Sequence, residues 1–221
     1  MRIVVDVSPL ALPRAGIGNY LRGTLSGLVQ ARREGDEVVA FAVAGPRGRR
    51  AIPAALAGLG LERRLVFLPG ARVWRQAWSR AARPALERVL GRFDVLHLSD
   101  WWFPPQRAGV RATTIHDLVP LHFPDWVPAA TRRLHLAKYE NARRTCDVVF
   151  ANSEYTADDV ARTLRVPRQR IRVAYPGVSE CFSSDGARAR PRSPRRGPRG
   201  CRGRPGPLRR RSPRRARGVP T

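Results

Sequence analysis

Cysteine is scarce and irregularly placed in this chain. Its three cysteines, Cys146, Cys181 and Cys201, are odd in number and lack the spacing of zinc ligands or of a disulfide framework. This argues against a disulfide-stapled secreted domain and against a cysteine-based metal site. We therefore expect a reduced, cytoplasmic protein without a cysteine-based metal site.

Long apolar runs are also missing. The longest, Val38 to Ala44, is far shorter than the roughly 18 residues that a membrane-spanning helix needs. Asp6 interrupts the first apolar run almost at once, so the N-terminus lacks the pattern of a secretory signal. The sequence predicts neither a membrane span nor a signal peptide.

Acidic residues and lysine are few. Lys and Arg together number 42 against 17 acidic residues, which gives a net charge of +25, and Lys138 is the only lysine. Residues 183–221 hold 14 arginines, one acid and no aromatic residue. Such a segment cannot bury enough apolar surface to offset the entropy of ordering its backbone. We predict a folded domain over residues 1–182 and a disordered basic tail over residues 183–221.

Residues 1–182 do contain short β-branched runs that alternate with longer stretches of helical period. This pattern is typical of a parallel sheet with helices on both faces, so we predict an α/β fold with a Rossmann-like, doubly wound sheet. Several of the runs are apolar throughout, as strands buried on both faces should be. The predicted strands are Ile3–Val7, Val38–Val43, Leu65–Leu68, Val95–Leu98, Ala112–Ile115, Val148–Ala151 and Ile171–Ala174.

In such a sheet ligands bind beyond the carboxyl ends of the strands, and the first candidate site follows strand one. Gly16 and Gly18, followed by Asn19 and Tyr20, open the next helix, where backbone N–H groups can approach an anion. A dinucleotide fingerprint is incomplete because its third glycine would fall at Leu21. A plain loop-to-helix turn explains the same residues.

The second candidate site is His116, which follows a predicted strand and is followed by Asp117. A histidine at this place can donate a hydrogen bond to a sugar hydroxyl or a phosphate, and nearby acids influence its charge. The alternatives are a structural histidine tied to the loop backbone and an Asp117 that only caps the following turn.

The third candidate site is the polar pair Asn152 and Ser153, which ends one strand and begins a helix. Ser153 has the sequence context of a helix N-cap, with Glu154 directly after it. As caps, these residues need no further function.

A stretch from Arg72 to Arg92 interleaves six arginines with two tryptophans and predicts a basic amphipathic helix. Such a helix can lie on an anionic membrane, here through Arg72, Trp74, Arg75 and Trp78. The alternative interpretation turns both tryptophans inward against the sheet and leaves the arginines in solvent.

Taken together, these stretches resemble the N-terminal half of a family 4 glycosyltransferase of the GT-B type. The likeness runs in order over about residues 1–182. The stretches that carry it are Gly16-Ile17-Gly18-Asn19-Tyr20, Phe93-Asp94-Val95-Leu96-His97, Thr114-Ile115-His116-Asp117-Leu118 with Pro124, Cys146-Asp147-Val148-Val149-Phe150-Ala151-Asn152-Ser153, and Ile171-Arg172-Val173-Ala174-Tyr175-Pro176-Gly177-Val178.

The resemblance implies one of two Rossmann-like domains that face each other across a cleft, with this one binding a sugar acceptor, either a polysaccharide or a lipid-linked sugar. It implies retaining transfer from a nucleotide sugar without an essential metal. By position, His116 would lie beside the transferred sugar, Gly16 and Gly18 near the donor phosphates or the reacting sugar, and Ser153 along the cleft. Asn19, Tyr20, Asp117 and Asn152 would complete the substrate site.

The resemblance also implies a donor-binding domain that this sequence does not match, since no Glu or Lys follows Phe182. Arg, Pro, Gly and Ala make up 30 of the last 39 residues. Their codons begin with two G or C bases, so a frameshift near Phe182 would explain this composition. We therefore expect an acceptor half that is inactive alone.

The alternative function is a binding protein that acts through its basic tail on nucleic acid or another anionic surface. Arg-Ser-Pro-Arg-Arg occurs twice, at 192–196 and 211–215, and could neutralise phosphates without reading sequence. Nucleic acid is the less favoured partner because no aromatic side chain interleaves with these arginines to stack on bases.

Overall fold

Seven parallel strands form a single sheet in the order β3-β2-β1-β4-β5-β6-β7. The computed structural model describes residues 1–12, 16–81 and 83–177. The strands are Arg2–Asp6 (β1), Glu37–Ala44 (β2), Glu62–Phe67 (β3), Val95–Leu98 (β4), Val110–Ile115 (β5), Val148–Ala151 (β6) and Ile171–Val173 (β7). All seven predicted strands are therefore present. Strands β1 to β3 are added in one direction across the sheet, and after β3 the chain returns to place β4 on the other side of β1, as in doubly wound sheets.

Helices and 3-10 turns connect the strands. The helices are Gly16–Ala31 (α1), Gly48–Ala55 (α2), Ala71–Arg80 (α3), Glu87–Leu90 (α4), Val119–His122 (α5), Ala129–Thr145 (α6) and Glu154–Leu164 (α7). The 3-10 turns are Ser8–Ala11, Pro124–Trp126 and Arg168–Arg170.

The buried side chains form two hydrophobic clusters. Successive residues of β2 alternate between them, because Val39 and Phe41 belong to one cluster and Val38 and Ala40 to the other. Successive side chains of a strand point to opposite faces, so the sheet has a covered core on both sides. This confirms the predicted α/β, doubly wound architecture.

The predicted helix over residues 72–92 is wrong in its extent. Two helices, α3 and α4, occupy this stretch, and Ala81 ends α3 in an extended conformation. Pro84 follows three residues later, and a proline both lacks a backbone donor and disfavours helix in the residue before it. The indole of Trp74 is 65% exposed, so the inward orientation holds for the half-buried Trp78 alone.

Strand β3 begins three residues earlier than predicted. Its first residues, Glu62, Arg63 and Arg64, are charged and give no apolar signal. They can form a strand because β3 lies at the edge of the sheet. There the backbone pairs with β2 while the charged side chains reach the solvent.

The predicted tail, residues 183–221, lies outside the described residues, as does the end of the predicted domain from 178 to 182. Residues 1–177 form one unit by themselves.

Candidate functional site

The carboxyl ends of four neighbouring strands bring the polar residues of the site to one edge of the sheet. The strands β1, β4, β5 and β6 are adjacent, and each pair is parallel. Asp6 ends β1, and His116 and Asn152 directly follow β5 and β6, whereas Asp100 is the second residue after β4. In an open parallel sheet this edge is where ligands bind.

His116 and Tyr20 are brought together at this edge. The phenol ring of Tyr20 contacts the imidazole edge to face, with ring centroids 4.6 Å apart and an interplanar angle of 88°. The contact joins the first turns of α1 to the end of β5. Two of the three predicted candidate sites are thus adjacent in space.

Ser153 caps α7 and connects it to His116 through Thr156. The Ser153 hydroxyl accepts a hydrogen bond from the Thr156 backbone N–H at 3.1 Å and donates to the Thr156 hydroxyl at 3.0 Å. That hydroxyl in turn donates to the His116 carbonyl oxygen at 3.4 Å. The predicted N-cap is confirmed, and Thr156 is a member of the site that the sequence analysis did not single out.

Asp117 caps the turn after β5. Its carboxylate accepts from the Val119 backbone N–H at 3.1 Å, and its backbone carbonyl accepts from the Tyr139 hydroxyl at 3.0 Å. The predicted cap of the following turn is therefore present, and the Tyr139 contact fixes this loop against α6.

The glycines at the start of α1 leave open space above the helix. A Cβ added to Gly16 would meet no atom within 4 Å, and one added to Gly18 would meet only Leu10 at 3.8 Å. Gly16 and Asn19 are exposed. Residues 13–15, which precede the helix, lie outside the described residues.

Asn152 differs from its neighbour Ser153. Its amide oxygen Oδ1 is buried without a hydrogen-bond partner in the part of the chain that the structure describes. Burying an oxygen without a hydrogen-bond partner lowers the stability of the folded state by about 1 to 3 kcal/mol. Asn152 therefore has an unused hydrogen-bond acceptor at this edge.

A buried carboxylate, Asp6, was missed by the sequence analysis. It accepts hydrogen bonds from the backbone N–H and hydroxyl of Ser8, at 3.0 and 2.6 Å, and from the indole N–H of Trp102 at 2.9 Å. Burial raises the pKa of Asp6, and the nearby Asp100 carboxylate raises it further, while Ser8 and Arg75 oppose this. The sequence signal that could have identified Asp6 is its position as a charged residue at the end of an otherwise apolar strand.

Arg75 of α3 pairs with Asp100 after β4, and both side chains are mostly buried. The guanidinium also lies 5.9 Å from the ring centroid of Trp102. On the same helix, the Trp78 indole N–H donates to the Pro84 carbonyl at 2.7 Å. Arg75 and Trp78 thus have internal partners, and the surface predicted to touch a membrane is reduced to the exposed Arg72 and Trp74.

The only lysine of the chain, Lys138, is buried in α6 beside this edge. Burial lowers its pKa, whereas the carboxylates of Asp100 and Asp6 favour its charged form. A single lysine among 41 arginines was a signal that the sequence analysis recorded without assigning it a role.

Two histidines at this edge are neutral at physiological pH. Burial, and then the charge of Lys138, lower the pKa of both His97 and His116 to about 4. The His97 ring lies 2.9 Å from the Thr114 hydroxyl. A neutral imidazole can donate one hydrogen bond and accept another, so His116 can engage a hydroxyl group without adding charge.

Other features of the described residues lie apart from the predicted site. Within them, no group of three potential metal ligands occurs, and no helix is long and apolar enough to cross a membrane. A groove of about 450 Å³ contains none of the predicted site residues; it is lined by Leu121, Leu136, Tyr139, Glu140, Arg143, Thr163, Leu164 and Arg165.

The doubly wound sheet, with a helix N-terminus, a neutral histidine and buried carboxylates at one carboxyl edge, defines a Rossmann-like domain. Within that class, the model of Glycosyltransferase Family 4 matches residues 15–180. The match covers more than half of the chain, so the chain belongs to this family.

The solved structures include HepE from Anabaena in complex with UDP and glucose, which is similar to this chain with 12% sequence identity and a TM-score of 0.46. The alignment covers 80% of this chain and 45% of HepE, so the chain spans less than half the length of that protein. None of the curated proteins compared matches the chain.

Proposed function

We propose that this domain is the acceptor-binding half of a retaining, nucleotide-sugar-dependent transferase that moves a hexosyl group such as mannosyl or glucosyl. The observation that carries the proposal is the contact of His116 with Tyr20 at the carboxyl edge of the sheet of a family 4 domain. The contact supports the proposal because it brings the imidazole of His116, which is neutral at pH 7, against the first turns of α1.

His116 is the proposed catalytic residue. Its imidazole has a pKa of about 4 and is neutral near pH 7, so it donates or accepts a hydrogen bond to a hydroxyl of the transferred sugar. It adds no positive charge beside a sugar carbon that itself becomes positive in the transition state. Stabilisation of that charge then falls to oriented dipoles and to the leaving phosphate.

The other proposed substrate-binding residues surround His116. Gly16 and Gly18 have no Cβ and leave the partly positive start of α1 accessible to the donor phosphates. Asn19 and Tyr20 follow on the same helix. Asp117, Asn152 and Ser153 contribute mainly by fixing the loops after β5 and β6, since the Asp117 side chain caps a turn and the Ser153 side chain caps α7.

The chain alone is proposed to be inactive. Transfer requires donor and acceptor to be held together, and positioning of this kind supplies about 7 to 11 kcal/mol in well-oriented reactions. A single lobe that binds only the acceptor cannot hold donor and acceptor together, so most of this lowering of the activation barrier is lost.

The test of this function uses the purified chain with UDP- and GDP-activated glucose and mannose. We expect no sugar transfer, and nucleotide-sugar affinity weaker than about 1 mM by calorimetry. Transfer by the chain alone, or binding clearly tighter than that, contradicts the proposal.

We also propose that residues 183–221 arise from a change of reading frame near Phe182. Their Arg, Pro, Gly and Ala content supports this origin, and the family match ends at residue 180. Sequencing the genomic DNA after codon 182 tests it, with a donor-binding lobe expected in another frame. If neither alternative frame encodes such a lobe, the frameshift is excluded.

If the frame can be restored, the longer enzyme tests His116 directly. His116→Ala should lower kcat/KM about 100-fold, in line with the loss of one transition-state hydrogen bond. Thr145→Ala is the control, because the Thr145 hydroxyl donates to the Asn141 carbonyl within α6, outside the proposed site, and its loss should leave turnover nearly unchanged. Equal effects of the two changes would assign His116 a structural role.

A further inference from the structure

Two aromatic rings stack on each other at the surface after α5. Phe123 and Trp126 have ring centroids 4.5 Å apart and an interplanar angle of only 19°. The two residues are nevertheless 46% and 73% exposed. Single exposed aromatics are common in proteins, but in this stacked pair each ring supports the other from one side and leaves its outer, flat apolar face to the solvent.

The backbone holds this pair in place. Phe123 ends α5, where its N–H donates to the Val119 carbonyl at 2.8 Å, and the Trp126 N–H donates to the Phe123 carbonyl at 3.1 Å. The residues from Pro124 to Trp126 form a 3-10 turn. The two rings are therefore oriented before any ligand arrives.

A side-chain anchor ties the pair to α7. The His122 ring lies 2.8 Å from the carboxylate of Asp159, which is buried and also accepts from the Thr163 hydroxyl at 2.8 Å. The same His122 ring packs edge to face on Phe123, with centroids 6.5 Å apart. A fixed surface binds its ligand without first losing side-chain entropy.

The pair belongs to the segment that leaves the candidate site. Asp117 directly follows His116, α5 begins two residues later, and Phe123 and Trp126 follow α5. The start of this segment is fixed by the Tyr139 hydroxyl on the Asp117 carbonyl. A ligand held on the rings would thus contact the same strand-to-helix connection that carries His116.

The size and charge of the surface favour a sugar ring as its ligand. Aromatic side chains bury about 150 to 250 Å² each, so two half-exposed rings fall well short of the roughly 800 Å² per partner of a stable protein interface. Asp125 is exposed between them, and an acid there opposes docking on an anionic lipid surface. A pyranose has a flat face of C–H groups that matches an aromatic ring, and a rim of hydroxyls.

We propose that Phe123 and Trp126 form a stacking subsite for a sugar ring of the acceptor, which makes the acceptor a glycan of more than one residue. This inference rests on the proposed acceptor-binding function of the domain. The stacking pair supplies apolar contact, and His116 engages hydroxyl groups at the reacting end.

The test measures binding of maltotriose, cellotriose and mannotriose to the full chain by calorimetry. We expect at least one trisaccharide to bind, and Trp126→Ala to weaken that binding about tenfold, with Trp126→Phe retaining most of it. Trp74→Ala is the matched control, because Trp74 is 65% exposed on α3 and stacks on no other ring among the residues that the structure describes. Circular dichroism of each variant confirms that it is folded.

The possible failures are distinguishable. If no trisaccharide binds the wild-type chain, both the acceptor-binding function and the subsite are wrong. If one binds and Trp126→Ala and Trp74→Ala behave alike, the subsite alone is wrong. Binding to phosphatidylglycerol vesicles, or self-association in sedimentation, that is lost in Trp126→Ala while trisaccharide binding persists would replace the sugar with a membrane or a second copy.

Discussion

His97 lies in the centre of the sheet with its ring buried against Thr114 and Phe150. Its pKa of about 4 means that the folded protein leaves this imidazole neutral well below the ordinary value near 6.5. Between these two pH values the unfolded chain binds one more proton at this residue than the folded chain. Acidification therefore favours unfolding in this window, and the effect ends below pH 4.

We predict that His97→Gln reduces the loss of stability on acidification. In the wild type, His97 alone should lower the free energy of unfolding by about 1 to 2 kcal/mol between pH 7 and pH 5. The variant should lack this contribution, although glutamine can still hydrogen-bond to Thr114. Urea unfolding at the two pH values measures the difference. An unchanged pH dependence would show that the His97 pKa is not depressed.

At the same scale, the positions of His116, Asp117 and Ser153 could be predicted because each lies within two residues of the end of a strand. The buried charges could not. Asp6, Asp100 and Lys138 are far apart in the sequence, and their proximity depends on the strand order and on the packing of α6. Local patterns contain no information on which distant charges share one buried edge.

Among the structural elements, the turn into β5 depends on a single glycine. Gly109 has a φ of +81°, and a Cβ there would lie 2.8 Å from the Phe93 carbonyl oxygen and 2.9 Å from that of Asp94. Val110 then begins β5 with an N–H bond to the same Asp94 carbonyl at 2.7 Å. The backbone here cannot move without disturbing the ladder between β4 and β5.

We predict that Gly109→Ala destabilises the protein more than Gly58→Ala. Gly58 has nearly the same φ, +79°, but a Cβ there meets no atom within 4 Å. Gly58→Ala therefore measures the cost of the left-handed backbone conformation alone, which is about 1 kcal/mol. Gly109→Ala adds the clash and should cost about 3 kcal/mol in total. Chemical denaturation measures both, and equal costs would refute the role of the contact.

The elements also show where sequence patterns fail. Strands with apolar β-branched runs, such as Val95–Leu98 and Val148–Ala151, were predicted with the observed bounds. The charged start of β3 was not, because an edge strand needs no apolar signal. In the stretch from 72 to 92 the helical spacing of apolar residues continues across Pro84, but the proline prevents one continuous helix from forming.

For the whole molecule, the first compact unit is Met1–Gly177 and the family match ends at residue 180. We predict that deleting residues 183–221 leaves the melting temperature unchanged within about 2 °C, because residues 1–177 have a hydrophobic core of their own. The deletion also lowers the net charge from +25 to +12.

Calorimetry of the two chains tests this prediction, and a matched filter-binding assay with a polynucleotide tests the alternative function. A large fall in melting temperature would mean that the deleted residues support the core. Salt-dependent nucleic-acid binding that vanishes with the deletion, while trisaccharide binding is retained, would assign the tail a function of its own.

The parallel strand order has a consequence for how this chain is made. Strand β1 must pair with β4, and the Arg2 N–H donates to the Asp94 carboxylate across a sequence separation of 92 residues. On the ribosome, β1 and β2 emerge long before β4 is synthesised. During this time the edge of β1 that later pairs with β4 has no hydrogen-bonded strand beside it. We expect the nascent chain to depend on chaperones during this interval, since unpaired strand edges favour aggregation.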